Sequence, residues 1–179
     1  MITPDAPAAL IRPATGTDLA AVAAIYAHYV DHTVVTFDET APPLSFWESR
    51  LADLAARGLP FLVAEEAGRV TGYAYASPWR PKPAYRHSVE NSVYLAPEHT
   101  GRGLGGALME ALIDACSRAG VHQMIAVVAD HGTPASVALH LRLGFAEAGR
   151  LRAVGHKHGR RLDTILLQRA LPAGEESTH

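Results

Sequence analysis

The residues most suggestive of chemistry form the stretch His99-Thr100-Gly101-Arg102-Gly103-Leu104-Gly105-Gly106. It follows a strand pattern and opens a helix pattern. The first N–H groups of a helix lack intrahelical partners, and the helix dipole favours an anion there. Glycines let a phosphate approach the backbone with no Cβ in the way. The stretch therefore reads as a pyrophosphate cradle. Gly101, Gly103 and Gly106 also fit G-x-G-x-x-G, a weak dinucleotide signal by itself. A dinucleotide fold sets its glycines tight against the first strand of a βαβ unit. Here Ala96 to Thr100 intervene, and the strand Met124–Ala129 offers no acid before Asp130. A nucleoside-triphosphate loop needs Gly-Lys-Ser or Gly-Lys-Thr, whereas this chain continues Gly106-Ala107-Leu108. A loop that merely turns accounts for two glycines better than for four in six residues.

Other groups could move protons or hold charge. Glu90 is a carboxylate in the mostly neutral strand Val89–Leu95. Partial burial would raise its pKa and fit it to accept a proton; a place on the solvent side of an alternating strand would not. Arg80, Lys82 and Arg86 lie between two strands. A guanidinium fork suits a carboxylate or a tetrahedral oxyanion, although a solvated loop serves for Lys82. His28 and His32 are four apart on one helix, as two metal ligands can be. No third ligand and no His-Glu-x-x-His pattern accompany them, so no metal is expected. There is no Gly-x-Ser-x-Gly nucleophile elbow. The basic run His156-Lys157-His158-Gly159-Arg160-Arg161 reads as a solvated turn.

The elements that must position these groups follow from periodicity and stop signals. A strand over Leu10–Pro13 precedes a helix capped by Thr17 or Asp18, with Leu19, Val22, Ile25, Tyr26, Tyr29 and Val30 at helical spacing. A second helix spans about Ser45–Arg57, with Trp47, Leu51 and Leu54 on one face. Phe61–Glu66 and Val70–Ser77 form a hairpin, and a third strand runs from about His87 to Leu95. Leu104, Leu108, Ala111, Leu112 and Ala115 mark an amphipathic helix ending at Gly120. The strand Met124–Ala129 comes next. Then a helix is capped by Thr133, begins at Pro134 and is closed by Gly144. Strands Phe145–Val154 and Leu162–Leu171 meet across Gly155–Gly159. The order β-α-α-β-β-β-α-β-α-β-β predicts an α/β fold with a mixed central sheet.

The whole chain sets limits on what it does. Its 179 residues suit one domain, expected over 10–171 with loose ends at 1–9 and 172–179. Hydrophobic residues at 48% exclude a disordered chain. Sixteen Lys and Arg against eighteen Asp and Glu give a net charge of −2, which calls for neither nucleic acid nor a membrane. Cys116, the only cysteine, falls on the apolar side of its helix and reads as core. With no disulfide, no signal-peptide pattern and no apolar run of about 18 residues, the cytoplasm is expected.

Thr100-Gly101-Arg102-Gly103-Leu104-Gly105 resembles motif A of the GNAT superfamily of N-acetyltransferases, a strand followed by Arg/Gln-x-x-Gly-x-Gly/Ala and a helix. Thr100 stands where Arg or Gln is usual. The likeness narrows to the phosphinothricin and methionine sulfoximine acetyltransferases. It rests on Ile25-Tyr26-Ala27-His28-Tyr29, on Trp79-Arg80 through Tyr85-Arg86, on Val89-Glu90-Asn91-Ser92-Val93-Tyr94-Leu95, and on Val154-Gly155-His156-Lys157-His158-Gly159-Arg160. These stretches keep their order across roughly 10–171.

The resemblance implies acetyl transfer from acetyl-CoA to the α-amino group of a small amino acid. It assigns Glu90 as base. Val93, Tyr94 and Leu95 would hold the pantetheine arm and thioester oxygen through their backbone. The cradle Gly101, Arg102, Gly103, Leu104, Gly105 and Gly106 would take the pyrophosphate. Thr133, where Asn is usual, and Ser136 would also contact the cofactor. Trp79, Arg80, Tyr85 and Arg86 would border the acceptor. His140 stands where the superfamily often has a Tyr that protonates the thiolate; it could act so, bind CoA, or simply be bonded locally. A homodimer is expected from the same likeness. Two rival readings stay open: a CoA-binding sensor without turnover, and an acetyltransferase for another amine.

Overall fold

The computed structural model describes residues 8–172. The ends expected to be loose lie, apart from residues 8, 9 and 172, outside the described residues. Within them the chain runs β1 (Leu10–Pro13), α1 (Leu19–His32), α2 (Leu44–Ala56), β2 (Phe61–Glu66), β3 (Arg69–Pro78), β4 (Ser88–Leu95), α3 (Leu104–Arg118), β5 (Gln123–Asp130), α4 (Ala135–Arg142), β6 (Ala146–Lys157) and β7 (Arg160–Ala170). This is the predicted order. Short 3₁₀ turns, which periodicity does not reveal, precede α1, β4 and α3.

One seven-stranded sheet is ordered β1-β2-β3-β4-β5-β7-β6, and only β4 and β5 pair in parallel. Strand alternation divides the core in two. Phe61, Val63, Tyr73 and Tyr75 pack against Leu19, Val22 and Ile25 of α1 and Trp47 and Leu54 of α2. Leu62, Ala64, Ala74, Ala76 and Val89 point the other way, against Leu104, Leu108, Met109 and Leu112 of α3. Trp47 is 1% exposed; truncating such a side chain to Ala costs about 3–5 kcal/mol. Cys116 lies on the buried face of α3, and burial pushes its thiol up to about 12. It is core, as expected.

Four local expectations are corrected. Neither Thr17 nor Asp18 caps α1 with its own side chain. Instead Asp18 reaches back to accept from the Thr15 N–H at 2.8 Å, and Arg12 grips its carboxylate at 2.8 Å. Thr133 makes no capping bond, and Pro134 holds the N-cap position, so α4 begins one residue later than predicted. The final hairpin turns on His158 (φ 49) and Gly159 (φ 72), two left-handed residues that match a tight turn between twisted strands. β6 therefore reaches Lys157 instead of ending at Val154. Lys157 is also not solvated. At the end of β6 the alternation turns Gly155 and Lys157 inward and His156 outward. The Lys157 ammonium donates to the Thr36 carbonyl at 2.8 Å.

Candidate active site

β4 and β5 pair only through Ser88↔Gln123, Val89↔Met124 and Glu90↔Ile125, and then part. Beyond that point β4 is held by β3 alone and β5 by β7 alone. Alternate peptide groups of both strands thus face a slot without ladder partners. Backbone groups left so need a ligand or water. A cavity of about 510 Å³ fills the slot, bounded by Glu90–Leu95, by Ala126–Ala129, and by Thr133, Ser136, Leu139 and His140 near α4. Tyr29 closes one end, donating to the Leu95 carbonyl at 2.6 Å.

The glycine cradle forms the mouth. Gly101 (φ 74) and Gly103 (φ 80) adopt the left-handed conformation that disfavours a side chain, and a Cβ on either would meet nothing within 4 Å. Conformation, not crowding, requires glycine there, and the space in front is open. Gly105 and Gly106 differ: a Cβ on either would sit in ordinary contact with Leu139, so neither conformation nor crowding requires glycine there. The first intrahelical bond of α3 runs from Ala107 N–H to the Gly103 carbonyl. The N–H groups of Leu104, Gly105 and Gly106 are left for an anion. Two expected cradle side chains do not face it. Leu104 is 6% exposed and enters the core, so only its backbone serves the mouth. Arg102 is drawn away by Glu66, whose carboxylate accepts from it at 2.7 Å and lies 3.1 Å from His99.

Residues paired across antiparallel strands share a face. Ser77↔Glu90, Tyr75↔Ser92 and Tyr73↔Tyr94 lie on the α1–α2 face; Ala76↔Asn91, Ala74↔Val93 and Gly72↔Leu95 lie on the α3–α4 face. Glu90 therefore stands at the lip of the slot on the opposite side from α3. It is half-buried, and desolvation raises its pKa above the ordinary value, with Arg80 and then Arg50 opposing the rise. A carboxylate held so can accept a proton near neutral pH.

The loop leaving β3 returns beside Glu90 and is closed by Trp79 N–H to the Ser88 carbonyl at 3.1 Å. Arg80 lies over the Trp79 ring, 4.5 Å from its centroid. Tyr85 is exposed, and Arg86 donates to the Pro83 carbonyl at 3.3 Å. None of Trp79, Arg80, Tyr85 and Arg86 borders the slot itself. Of the four, Trp79 and Arg80 lie toward Glu90.

On the other face His140 is 2% exposed and faces the slot. Its Nδ1 lies 2.7 Å from the Ser136 carbonyl, one turn earlier in α4, and its Nε2 lies 3.0 Å from Asn91 Nδ2. A carbonyl only accepts and an NH₂ only donates, so the ring is neutral, with its proton on Nδ1. The reversed Asn91 amide would need an imidazolium, and burial lowers the His140 pKa. Both ring nitrogens are thus engaged by protein groups.

Sequence reasoning missed Asn91, Tyr29 and Arg50. Asn91 is 7% exposed, and its Oδ1 is buried without a partner among the described residues. That acceptor fits an amide N–H of a pantetheine arm. Arg50 had a signal. It stands three residues after Trp47, so it shares the apolar face of α2, where a charge is out of place. His28 and His32 have neighbouring rings, 5.1 Å apart, but no group of three or more metal-ligating side chains occurs among the described residues. No helix among them is long and apolar enough to cross a membrane.

An open glycine mouth, a slot of free peptide groups and an orphaned amide oxygen fit an elongated, phosphate-bearing thioester such as acetyl-CoA. The model of the acetyltransferase (GNAT) family matches residues 22–145. The chain is 44% identical to a phosphinothricin N-acetyltransferase of Alcaligenes faecalis, over 97% of this chain and 93% of that one. It is 40% identical to an L-methionine sulfoximine/L-methionine sulfone acetyltransferase of Pseudomonas aeruginosa, over 89% and 93%. A crystal structure of a phosphinothricin acetyltransferase from Sinorhizobium meliloti in complex with acetyl-CoA superposes with a TM-score of 0.89 at 42% identity, covering 96% of this chain and 92% of that one. The chain belongs to the GNAT acetyltransferase family and is an acetyl-CoA-dependent N-acetyltransferase.

Proposed function

We propose that this enzyme acetylates the α-amino group of a small amino acid of the kind represented by L-phosphinothricin and L-methionine sulfoximine. The observation that carries the reading is Glu90. It is a half-buried carboxylate at the lip of the cofactor slot, on the face where Arg80 and Arg50 also act on it. The names of the similar enzymes support the same acceptor class.

Acetyl-CoA is the acetyl donor. The free N–H groups at the start of α3 take its pyrophosphate, and the peptide groups of Val93, Tyr94 and Leu95 hold the arm and thioester oxygen. Thr133 and Ser136 border the arm from the α4 side. Glu90 takes one proton from the acceptor's ammonium, directly or through a water. The amine nitrogen then bonds to the carbonyl carbon as the carbon–sulfur bond breaks, and the nitrogen gives up its second proton to solvent to leave the neutral amide. The thiolate carries away the electron pair and is protonated from solvent. His140 serves as a positioning residue that fixes Asn91. Trp79, Arg80, Tyr85 and Arg86 flank the acceptor. The protein works as a homodimer in the cytoplasm.

The test is thiol release from acetyl-CoA with L-phosphinothricin, L-methionine sulfoximine and a panel of amino acids. Turnover is expected with the first two. No turnover with any α-amino acid would sink the substrate claim.

A further inference from the structure

Three arginines of the described chain are half-buried: Arg12, Arg50 and Arg169. Arg12 is bonded to Asp18 and Glu65, and Arg169 to the Leu143 carbonyl. Arg50 has no carboxylate, carbonyl or amide partner among the described residues. Its guanidinium is held only by aromatic faces, 5.1 Å from the Phe46 centroid and 5.4 Å from that of Tyr75. Stacking of this kind is attractive but leaves the N–H fork unused at its edge. A half-withdrawn cation with idle donors costs free energy unless something bonds to it.

Its place points to what that is. Tyr75 pairs with Ser92, one step along the same face from the Ser77↔Glu90 pair. Such diagonal neighbours lie about 7–8 Å apart, within the reach of one arginine. Arg80, exposed and stacked on Trp79, is likewise without a hydrogen-bond partner among the described residues. Two stacked, unpaired guanidiniums thus flank the proposed base. Arg80 exerts the larger influence on Glu90. The amine must reach Glu90, and an α-carboxylate is one carbon from that amine. Arg80 leaves β3 three residues after Ser77, the partner of Glu90, beside the Trp79 N–H to Ser88 carbonyl bond, so it suits the carboxylate. Arg50 comes from α2 over Tyr75, one pair farther along the face, and suits a group farther along the side chain.

Resting on the acceptor class given above, we propose that Arg50 is a specificity-determining residue whose guanidinium takes a side-chain oxyanion of the acceptor, while Arg80 takes its α-carboxylate. The preferred substrates are then α-amino acids with an acidic tetrahedral or planar head, and those with a neutral polar head come second.

The experiment compares wild type, Arg50→Met and Arg50→Lys on L-phosphinothricin, whose head is an anion, and on L-methionine sulfone, whose head is neutral. A charge-assisted hydrogen bond contributes about 1.5–3 kcal/mol, or roughly tenfold and more. Arg50→Met should raise KM for phosphinothricin about tenfold or more. It should raise KM for methionine sulfone several-fold less than for phosphinothricin, because a neutral acceptor lacks the charge-assisted part of the bond, and leave KM for acetyl-CoA within about twofold. Arg50→Lys should recover part of the loss. An unchanged KM, an equal loss on both acceptors, or a matching loss for acetyl-CoA would overturn the proposal. Calorimetric titration of both compounds into the enzyme saturated with CoA needs no turnover and separates the two readings. Arg50-dependent binding without acetylation removes the functional reading and keeps this one. Acetylation with Arg50-independent binding does the reverse, and a wild type that neither binds nor acetylates removes both.

Discussion

On the α3 side of the slot, Gly101 and Gly103 turn through positive φ and aim backbone N–H groups at open space. Across β4, Glu90 stands under the fields of Arg80 and Arg50, with Tyr75 and Trp79 as supports for the two guanidiniums. The first region does its work with main chain. The second does it with side chains drawn from α2, from β4 and from the loop after β3. Thr100, at the mouth, spends its hydroxyl on the Pro97 carbonyl at 3.0 Å, so the groups it leaves facing the opening are main chain. On the Glu90 side each charged group belongs to one side chain.

Four substitutions can break or sharpen this contrast. Glu90→Gln keeps shape and removes the proposed base. General-base catalysis contributes about 10²–10⁴-fold, so kcat should fall by that order while acetyl-CoA binding by calorimetry is kept. A full-rate variant would remove Glu90 from the chemistry. Gly103→Val forces a branched side chain to φ 80. The cost of about 1–2 kcal/mol corresponds to roughly tenfold in KM for acetyl-CoA, with KM for the amino acid unaffected. If acceptor KM rises instead, the two regions are not separable. Arg80→Met should move the acid limb of the kcat profile to higher pH. The active form of Glu90 is ionised, burial already lifts its pKa, and Arg80 opposes that lift. Removing the cation lets the pKa climb, so activity appears later as pH rises; a shift to lower pH contradicts the geometry. Thr100→Ala should leave both KM values within about twofold, as exposed substitutions do. A large loss there would mean that the mouth depends on side chains after all.

Much of this was readable from residues alone, and the reason differs by region. The cradle announced itself because glycine at a helix start reports a backbone conformation directly. The order of strands and helices followed from periodicity, which depends on neighbours in sequence. Glu90 was readable by resemblance; its face on the sheet was not, since that depends on the pairing of β3 with β4. Lys157 was misread because a run of basic residues looks solvated until strand alternation and the Thr36 carbonyl are known. His140 is open between three roles in the sequence because the group that meets its Nε2, Asn91, lies 49 positions away. Arg50 was missed although its position on the apolar face of α2 was visible in the spacing of Trp47, Leu51 and Leu54. What it touches is fixed by packing between α2 and the sheet, and no local pattern encodes that.

The parting of β4 and β5 also sets an order of assembly. Beyond Ile125, β5 is laddered only to β7, the last regular element among the described residues. During synthesis from the N-terminus, the cradle, Glu90 and His140 all leave the ribosome while the far wall of the slot still lacks its support. The emerging chain thus has a complete inventory of site residues before it has a site. Arrival of the final strand, near Ala170, is the event that turns the one into the other.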